Sequence, residues 1–346
     1  MKKRLLLLSF FAFSVFAASA QDTTKTDPPL TISGSVDTYY KYDFSGFKAP
    51  AGGSIAPGSS NIQTSFANEQ NSVSIGMIDL ALKKKVGKAA FVGELSFGPR
   101  GSYQSLVPGS AGETFNIQNL YVSYDVTDKF NLTGGFMATF IGYEVISPVG
   151  NFNYSTSYLF TNGPFQNAGL KATYAFTDKV SLMAGIFNDS WNSYISNVDV
   201  SNFGAQLFIS PVTGWTAYLN VITGPVSGTE FDLTTAYQIT DMFKLGLNAA
   251  DYKTAHGGNG FSGIALYPQI SASKTVAFGI RGEYFKLKNG GPDVKAFTLT
   301  SNIKAGPLTI IPEVRLDKAS NEQFVKRDLT ATKSASQFVL AAVYAF

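Results

Sequence analysis

The sequence predicts an all-β protein: a closed, antiparallel, up-and-down transmembrane β-barrel of about sixteen strands, with short periplasmic turns and long extracellular loops. Three observations lead there. Of 346 residues only 15% are charged, while 14% are aromatic, with 29 Phe, 17 Tyr and 33 Gly; an average soluble protein has about 25% charged residues. The hydrophobic share is nonetheless an ordinary 45%, too low for a bundle of membrane helices. Apolar residues alternate with polar ones at period two along most of the chain, which is the strand signal. The connections between those segments alternate too, tight then loose, as an asymmetric membrane requires.

The elements follow in order. Met1-Lys2-Lys3-Arg4 is a basic start, Leu5 to Phe16 an apolar run, and Ala18-Ser19-Ala20 a small-residue cleavage site. Residues 1–20 therefore read as a secretory signal peptide cleaved after Ala20; the apolar run is too short to span a bilayer as a helix. Its three basic residues account for the whole formal charge of +3, leaving 24 basic against 24 acidic residues in the mature chain. Nucleic acid is thus not an expected partner. Residues 21–29 form a short polar, Pro-ended periplasmic lead, and 30–346 a single barrel domain.

Strands are expected at 30–44, 71–85, 88–99, 113–127, 130–141, 165–176, 179–188, 200–211, 214–224, 229–239, 242–252, 261–272, 274–286, 293–304, 306–318 and 333–346. Redividing the region near 225–260 would give 14 or 18. Tight turns fall at Val86-Gly87, Thr127-Asp128-Lys129-Phe130, Pro211-Val212-Thr213, Thr177-Asp178-Lys179-Val180, Thr240-Asp241-Met242-Phe243, Ser271 to Lys274 and Ala305-Gly306-Pro307. Looser, Gly-, Asn- and Ser-rich connections cover 45–70, 100–112, 142–164, 189–199, 225–228, 253–260, 287–292 and 319–332. An even strand count leaves both termini in the periplasm.

The alternation can be read with apolar side chains to lipid and polar ones to a wet lumen. The strand at 306–318 sets Leu308, Ile310, Pro312, Val314 and Leu316 against Thr309, Glu313, Arg315 and Asp317. Aromatics gather near strand ends, at Tyr42, Phe44, Phe97, Phe130, Phe140, Phe176, Phe187, Phe243, Tyr252 and Tyr284, where membrane girdles belong. The chain ends Phe338, Leu340, Ala342, Tyr344, Phe346. That ending resembles the carboxy-terminal insertion signal of bacterial outer-membrane barrels, with Tyr344 and Phe346 offered to the barrel-assembly machinery. Location in the outer membrane of a Gram-negative bacterium follows, with membrane lipid as the surrounding partner.

Gly34-Ser35-Val36-Asp37-Thr38-Tyr39-Tyr40-Lys41-Tyr42 resembles the opening of the OmpL-like, or porin-2, family of β-barrel porins. Asp79-Leu80-Ala81-Leu82, Gly87-Lys88, the run from Phe91 to Gly98, Glu144 and Asn153-Tyr154-Ser155 are similar to it as well. The resemblance implies an outer-membrane channel for solutes. It implies no catalytic residue, cofactor or particular substrate.

Strand phase then places charges in the lumen: Asp37, Glu94, Asp125, Asp232, Glu283 and Glu313 against Lys41, Lys171, Lys244, Arg281 and Arg315. Selectivity needs rings of one sign; this near balance predicts weak ion selectivity for small hydrophilic solutes. Sixteen strands leave an aqueous channel, and in general porins the third long loop narrows it. Here that loop is 142–164, with Glu144, Tyr154 and Tyr158. The Gly-, Ser- and Pro-rich loop 45–70 reads as an exposed cap instead. A homotrimer is the assembly expected by analogy with sixteen-stranded porins.

Other chemistries find little footing. There is no Cys and one His, His256, in a flexible loop; catalysis would need it to converge with a carboxylate on a Ser. No metal or cofactor site, and no enzyme, is expected. Lys83-Lys84-Lys85 with Lys88 reads as a hairpin end kept in water. The remaining alternative is a surface adhesion or structural barrel whose loops occlude the lumen.

Overall fold

The computed structural model describes residues 27–49, 59–102 and 116–346. The expected signal peptide, most of the lead and parts of two loops lie outside these residues. The strands are β1 (Thr31–Asp43), β2 (Val73–Val86), β3 (Ala89–Phe97), β4 (Ile117–Thr127), β5 (Phe130–Ala138), β6 (Gln166–Thr177), β7 (Val180–Phe187), β8 (Asn202–Ile209) and β9 (Trp215–Gly224). They continue with β10 (Gly228–Gln238), β11 (Phe243–Lys253), β12 (Gly260–Ser271), β13 (Val276–Leu287), β14 (Asp293–Ala305), β15 (Leu308–Ala319), a two-residue pair β16 (Phe324–Val325) and β17 (Ala331–Thr332), and β18 (Ser334–Ala345). Two short helices, α1 (Pro99–Ser102) and α2 (Tyr158–Asn162), sit in loops. Every long strand pairs antiparallel with its neighbour, and β1 pairs with β18 from Ser35↔Ala345 to Asp43↔Gln337, so sixteen strands close into a barrel. β16 and β17 form a separate hairpin in the last loop.

The turns show why the register holds. At three of them a threonine hydroxyl accepts from the backbone beyond the bend: Thr127 from Lys129 and Phe130, Thr177 from Lys179, and Thr240 from Met242 and Phe243. This local bond fixes a turn without help from the rest of the fold. Gly87 and Gly306 occupy the two-residue turns at φ +56° and +64°, a region that costs a Cβ-bearing residue strain. On the opposite rim, connections run from 44–72 and 139–165 down to 225–227. That last is as tight as the turns on the other rim, so the loop expected at 225–228 is a bend.

The apolar face points outward. Leu120 is 58% exposed, Val122 64% and Phe297 46%, while their neighbours Thr298 and Thr300 are wholly buried. A soluble protein does not leave so large an apolar surface bare; a barrel in lipid does. Tyr42, Phe44, Phe97, Phe176 and Tyr284 stand on this outer surface. Three residues expected among them turn inward instead. Phe187 is fully buried and stacks on Phe140, which lies past the end of β5, and Tyr252 shares the inward phase of Asn248 and packs on buried Phe261.

At the seam Gly34 and Phe346 exchange both backbone hydrogen bonds at 3.0 Å. Tyr344 and Phe346 face outward, 43% and 60% exposed.

Candidate functional site

The segment 139–165, between β5 and β6, enters the barrel and is bound by the polar wall. Its course can be followed by its bonds. Gly142 N–H donates to Asp232 on β10 at 3.1 Å, and Tyr143 stacks on Tyr267 of β12 with ring centroids 4.4 Å apart. Glu144 meets Arg281 of β13 at 2.7 Å. Asn153 donates to Thr300 of β14 at 2.7 Å, and the N–H groups of Tyr154 and Ser155 donate to the Glu313 carboxylate at 2.9 and 3.1 Å. The Tyr154 hydroxyl donates to Asp37 of β1. At the start of α2, the N–H groups of Tyr158 and Leu159 donate to Glu283 at 3.0 and 2.8 Å, and the Tyr158 hydroxyl donates to Asp317 at 2.7 Å.

The chemistry is reciprocal: wall carboxylates take loop amides, and wall guanidiniums take loop carbonyls. Arg281 donates to the Ser155 and Thr156 carbonyls, Arg315 to that of Thr156 while paired with Asp317 at 2.8 Å. An irregular segment can be buried only if its backbone groups find such partners. Burial beside a carboxylate holds the Tyr154 and Tyr158 hydroxyls well above the usual phenol range. Burial, with Glu144 adjacent, pushes Tyr143 up to about 12. Tyr154 and Tyr158 remain protonated donors to Asp37 and Asp317.

A second segment packs against the first. Residues 59–70, the end of the connection expected to cap the barrel from outside, are mostly buried, with Ile62, Phe66 and Ala67 at 1–2% exposure. Ser65 N–H donates to Thr161, Arg315 reaches Thr64 at 3.4 Å, and Phe66 packs on Phe160 and Phe165. The cap expectation fails because apolar side chains spaced four and five apart in a Ser- and Gly-rich stretch carry no period-two signal.

The sequence-predicted wall charges fall into two groups. Asp37, Lys41, Asp232, Arg281, Glu283, Glu313 and Arg315 are buried and, except Lys41, bind the inserted segment or its support. Lys41 donates to Ser60 at 3.1 Å. Glu94, Asp125, Lys171 and Lys244 are only half-buried. Glu94 accepts from Asn119 at 2.6 Å. Asp125 lies at the tight-turn rim, paired with Lys85 at 2.5 Å. Lys171 has no hydrogen bond or ion pair among the described residues, and Lys244 lines a cavity of about 840 Å³ at the same rim with Lys304 and Glu144.

The expected near balance of inward charge needs correction. Asp43, Asp79, Glu230 and Asp317 are also buried, against one further base, Arg100, which ends β3's extension at α1 and lies 3.6 Å from Asp37 between the rings of Phe66 and Tyr154. A bulge in the β1–β2 pairing buries Gly76 and Met77 in succession, which shifts the phase that would have assigned Asp79. His256 is exposed at φ +59° and makes no hydrogen bond among the described residues; neither a carboxylate nor a Ser converges on it.

A closed sixteen-stranded barrel with an apolar outer band, a polar wall and one long loop bound inside it defines an outer-membrane porin. The chain belongs to the family described as "Putative beta-barrel porin-2, OmpL-like", whose model matches residues 29–346. Its fold is similar to the outer membrane channel DcaP of Acinetobacter baumannii (11% identity, TM-score 0.61, 92% of this chain and 97% of that one). It is also similar to an anion-selective porin from Comamonas acidovorans (14%, 0.60, 92% and 99%) and to the trimer form of OmpT from Vibrio cholerae (12%, 0.56, 92% and 99%). No curated protein sequence matches the chain.

Proposed function

We propose that the chain is a passive diffusion channel for small hydrophilic solutes, narrowed by the segment 142–164, with Glu144, Tyr154 and Tyr158 fixing that segment to the wall. The carrying observation is the one-sided course of the insertion. Most of its contacts run to β8, β10, β12 to β15 and β1. On the other side it meets Arg100 beyond the end of β3 and Phe187 at the end of β7, and the inward faces of β3 to β7 keep half-buried polar residues such as Glu94, Asn119, Tyr121, Ser123, Lys171 and Thr173. Solute passes between the inserted segment and this strip.

Selectivity along it is weak. Glu283 and Glu313 are spent on amides of the insertion, Asp317 on Tyr158 and Arg315, and Arg281 on Glu144. The strip carries Glu94 and Lys171, with Asp125, paired to Lys85, and Lys244 near the rim. Export by the cleaved signal, insertion through Tyr344 and Phe346 by the barrel-assembly machinery, and assembly as a homotrimer belong to the same reading. The trimer form of Vibrio cholerae OmpT, a similar fold, supports the last.

Swelling of proteoliposomes in sugars of graded size tests the function. Rates should fall smoothly from monosaccharide to trisaccharide. No swelling from protein shown by heat-modifiable gel migration to be folded would assign the chain to occluded, adhesive barrels instead.

A further inference from the structure

We propose that the outer wall over β2 to β6 carries a binding groove for one anionic phospholipid of the inner leaflet, with its phosphate on Lys84. The groove has a volume of about 630 Å³ and is lined almost wholly by apolar atoms. Pairing shows how it is made. Outward residues of five strands lie in adjacent rows: Val86 opposite Ala89, Phe91 opposite Val122, Tyr124 opposite Leu132, and Gly134 opposite Leu170. Ala89 and Gly134 give a low floor where their neighbours Phe91, Val122, Tyr124 and Leu170 rise as exposed walls. Four strand spacings of about 4.8 Å make it about 19 Å long, a trough for a hydrocarbon chain.

The charge at one end selects the occupant. Lys84 shares the outward phase of Ile78 and Leu80, is half-buried among the groove residues, and pairs with no carboxylate among the described residues. Its inward neighbour Lys85 is engaged by Asp125, and Lys88 reaches the Val126 carbonyl at 2.9 Å. Lys83, in the inward phase of Asp79 and Ala81, adds a fourth positive charge at this end; Asp125, Asp128 and, beyond β6, Asp178 are the acids at the turns bordering the groove. An amphipathic lysine lays its stem on apolar surface and lifts its charge to the interface, and clustered lysines beside a membrane-spanning element favour anionic headgroups. The Val86–Gly87 turn belongs to the tight-turn rim, which faces the periplasm and so the phospholipid leaflet. A cation at the headgroup end of an apolar trough fits a phosphodiester with acyl chains better than it fits the flat, neutral face of a second barrel.

Native mass spectrometry of the folded barrel, released from detergent containing palmitoyl-oleoyl phosphatidylglycerol or the matching phosphatidylcholine, tests this. One phosphatidylglycerol should stay bound per chain, with phosphatidylcholine retained several-fold less. Lys84→Gln should erase the preference. Gly134→Leu should lower retention of both lipids, since a Cβ at Gly134 meets Leu170 Cδ1 at 3.5 Å and the Gly169 carbonyl at 4.0 Å, both ordinary contacts, and the longer side chain fills the trough. Equal retention by wild type and Lys84→Gln, or no bound lipid, would overturn the proposal. A wild type without lipid whose oligomeric mass drops in Gly134→Leu would overturn it in favour of a contact between copies.

Discussion

Arg281 on β13 and Glu144 in the inserted segment, 137 positions apart, form an ion pair at 2.7 Å with both side chains at or below 5% exposure. The same guanidinium holds the Ser155 and Thr156 carbonyls, so one side chain fastens the insertion at two separate points.

Removing one member of a buried pair leaves the other uncompensated, at a cost of about 3–5 kcal/mol. Glu144→Ala should therefore detach the first half of the insertion while the barrel stays closed. The expected result is a larger, noisier single-channel conductance and new protease cleavage within 142–164. Unchanged conductance and cleavage would show that Arg281 does not hold the constriction.

Glu313 and Glu283 each accept two backbone N–H groups of the insertion. Bonds to a charged acceptor contribute about 1.5–3 kcal/mol each, and a carboxamide offers only one oxygen. Glu313→Gln and Glu283→Gln should each raise amide hydrogen exchange, the first around Tyr154 and the second around Tyr158. An effect spread evenly over the loop would contradict the two-point attachment.

In the loop between β7 and β8, Asp189 is buried, which raises its carboxyl, but the N–H groups of Asn197, Val198 and Asp199, at 2.8, 2.7 and 3.3 Å, outweigh burial and hold the carboxyl below its usual range. A depressed carboxylate contributes its full stability above the unfolded value, about 3.9, and loses it as pH falls through the lower folded value. Trp191, packed on Tyr252 in this loop, reports the change in a Trp215→Phe background. Its emission should hold from pH 7 to about 4 and shift red only in stronger acid; Asp189→Asn should be red-shifted throughout. A shift near pH 6 would contradict the assignment.

Deleting Phe346 removes the two backbone bonds it exchanges with Gly34 at the seam and the terminal aromatic of the proposed insertion signal. The folded, heat-modifiable fraction in outer membranes should fall several-fold, while refolding in detergent suffers less. Equal losses in both settings would confine Phe346 to seam stability.

All sixteen barrel strands were legible, because each writes its period on its own residues and its turns carry local chemistry such as Thr127 and Thr240. The wall residues were legible as far as strand phase ran unbroken: Asp37, Arg281, Glu283, Glu313 and Arg315 all face inward. Phase fails at the bulge before Asp79 and past the strand ends, where Arg100 and Phe140 turn inward. The burial of 59–70 left no trace in period or composition, since partners distant in sequence, such as Phe160, Thr161, Phe165 and Arg315, make that irregular stretch internal.

Single-channel recording of the purified wild-type barrel in a planar bilayer under a salt gradient tests the central claim most directly, that an open and nearly neutral passage runs between the insertion and the β3–β7 strip. Discrete conductance steps with a reversal potential near zero are predicted, with Lys171→Glu shifting that potential toward cations. Silence from folded protein, or a wild-type reversal potential close to that of an ideally selective pore, would contradict it.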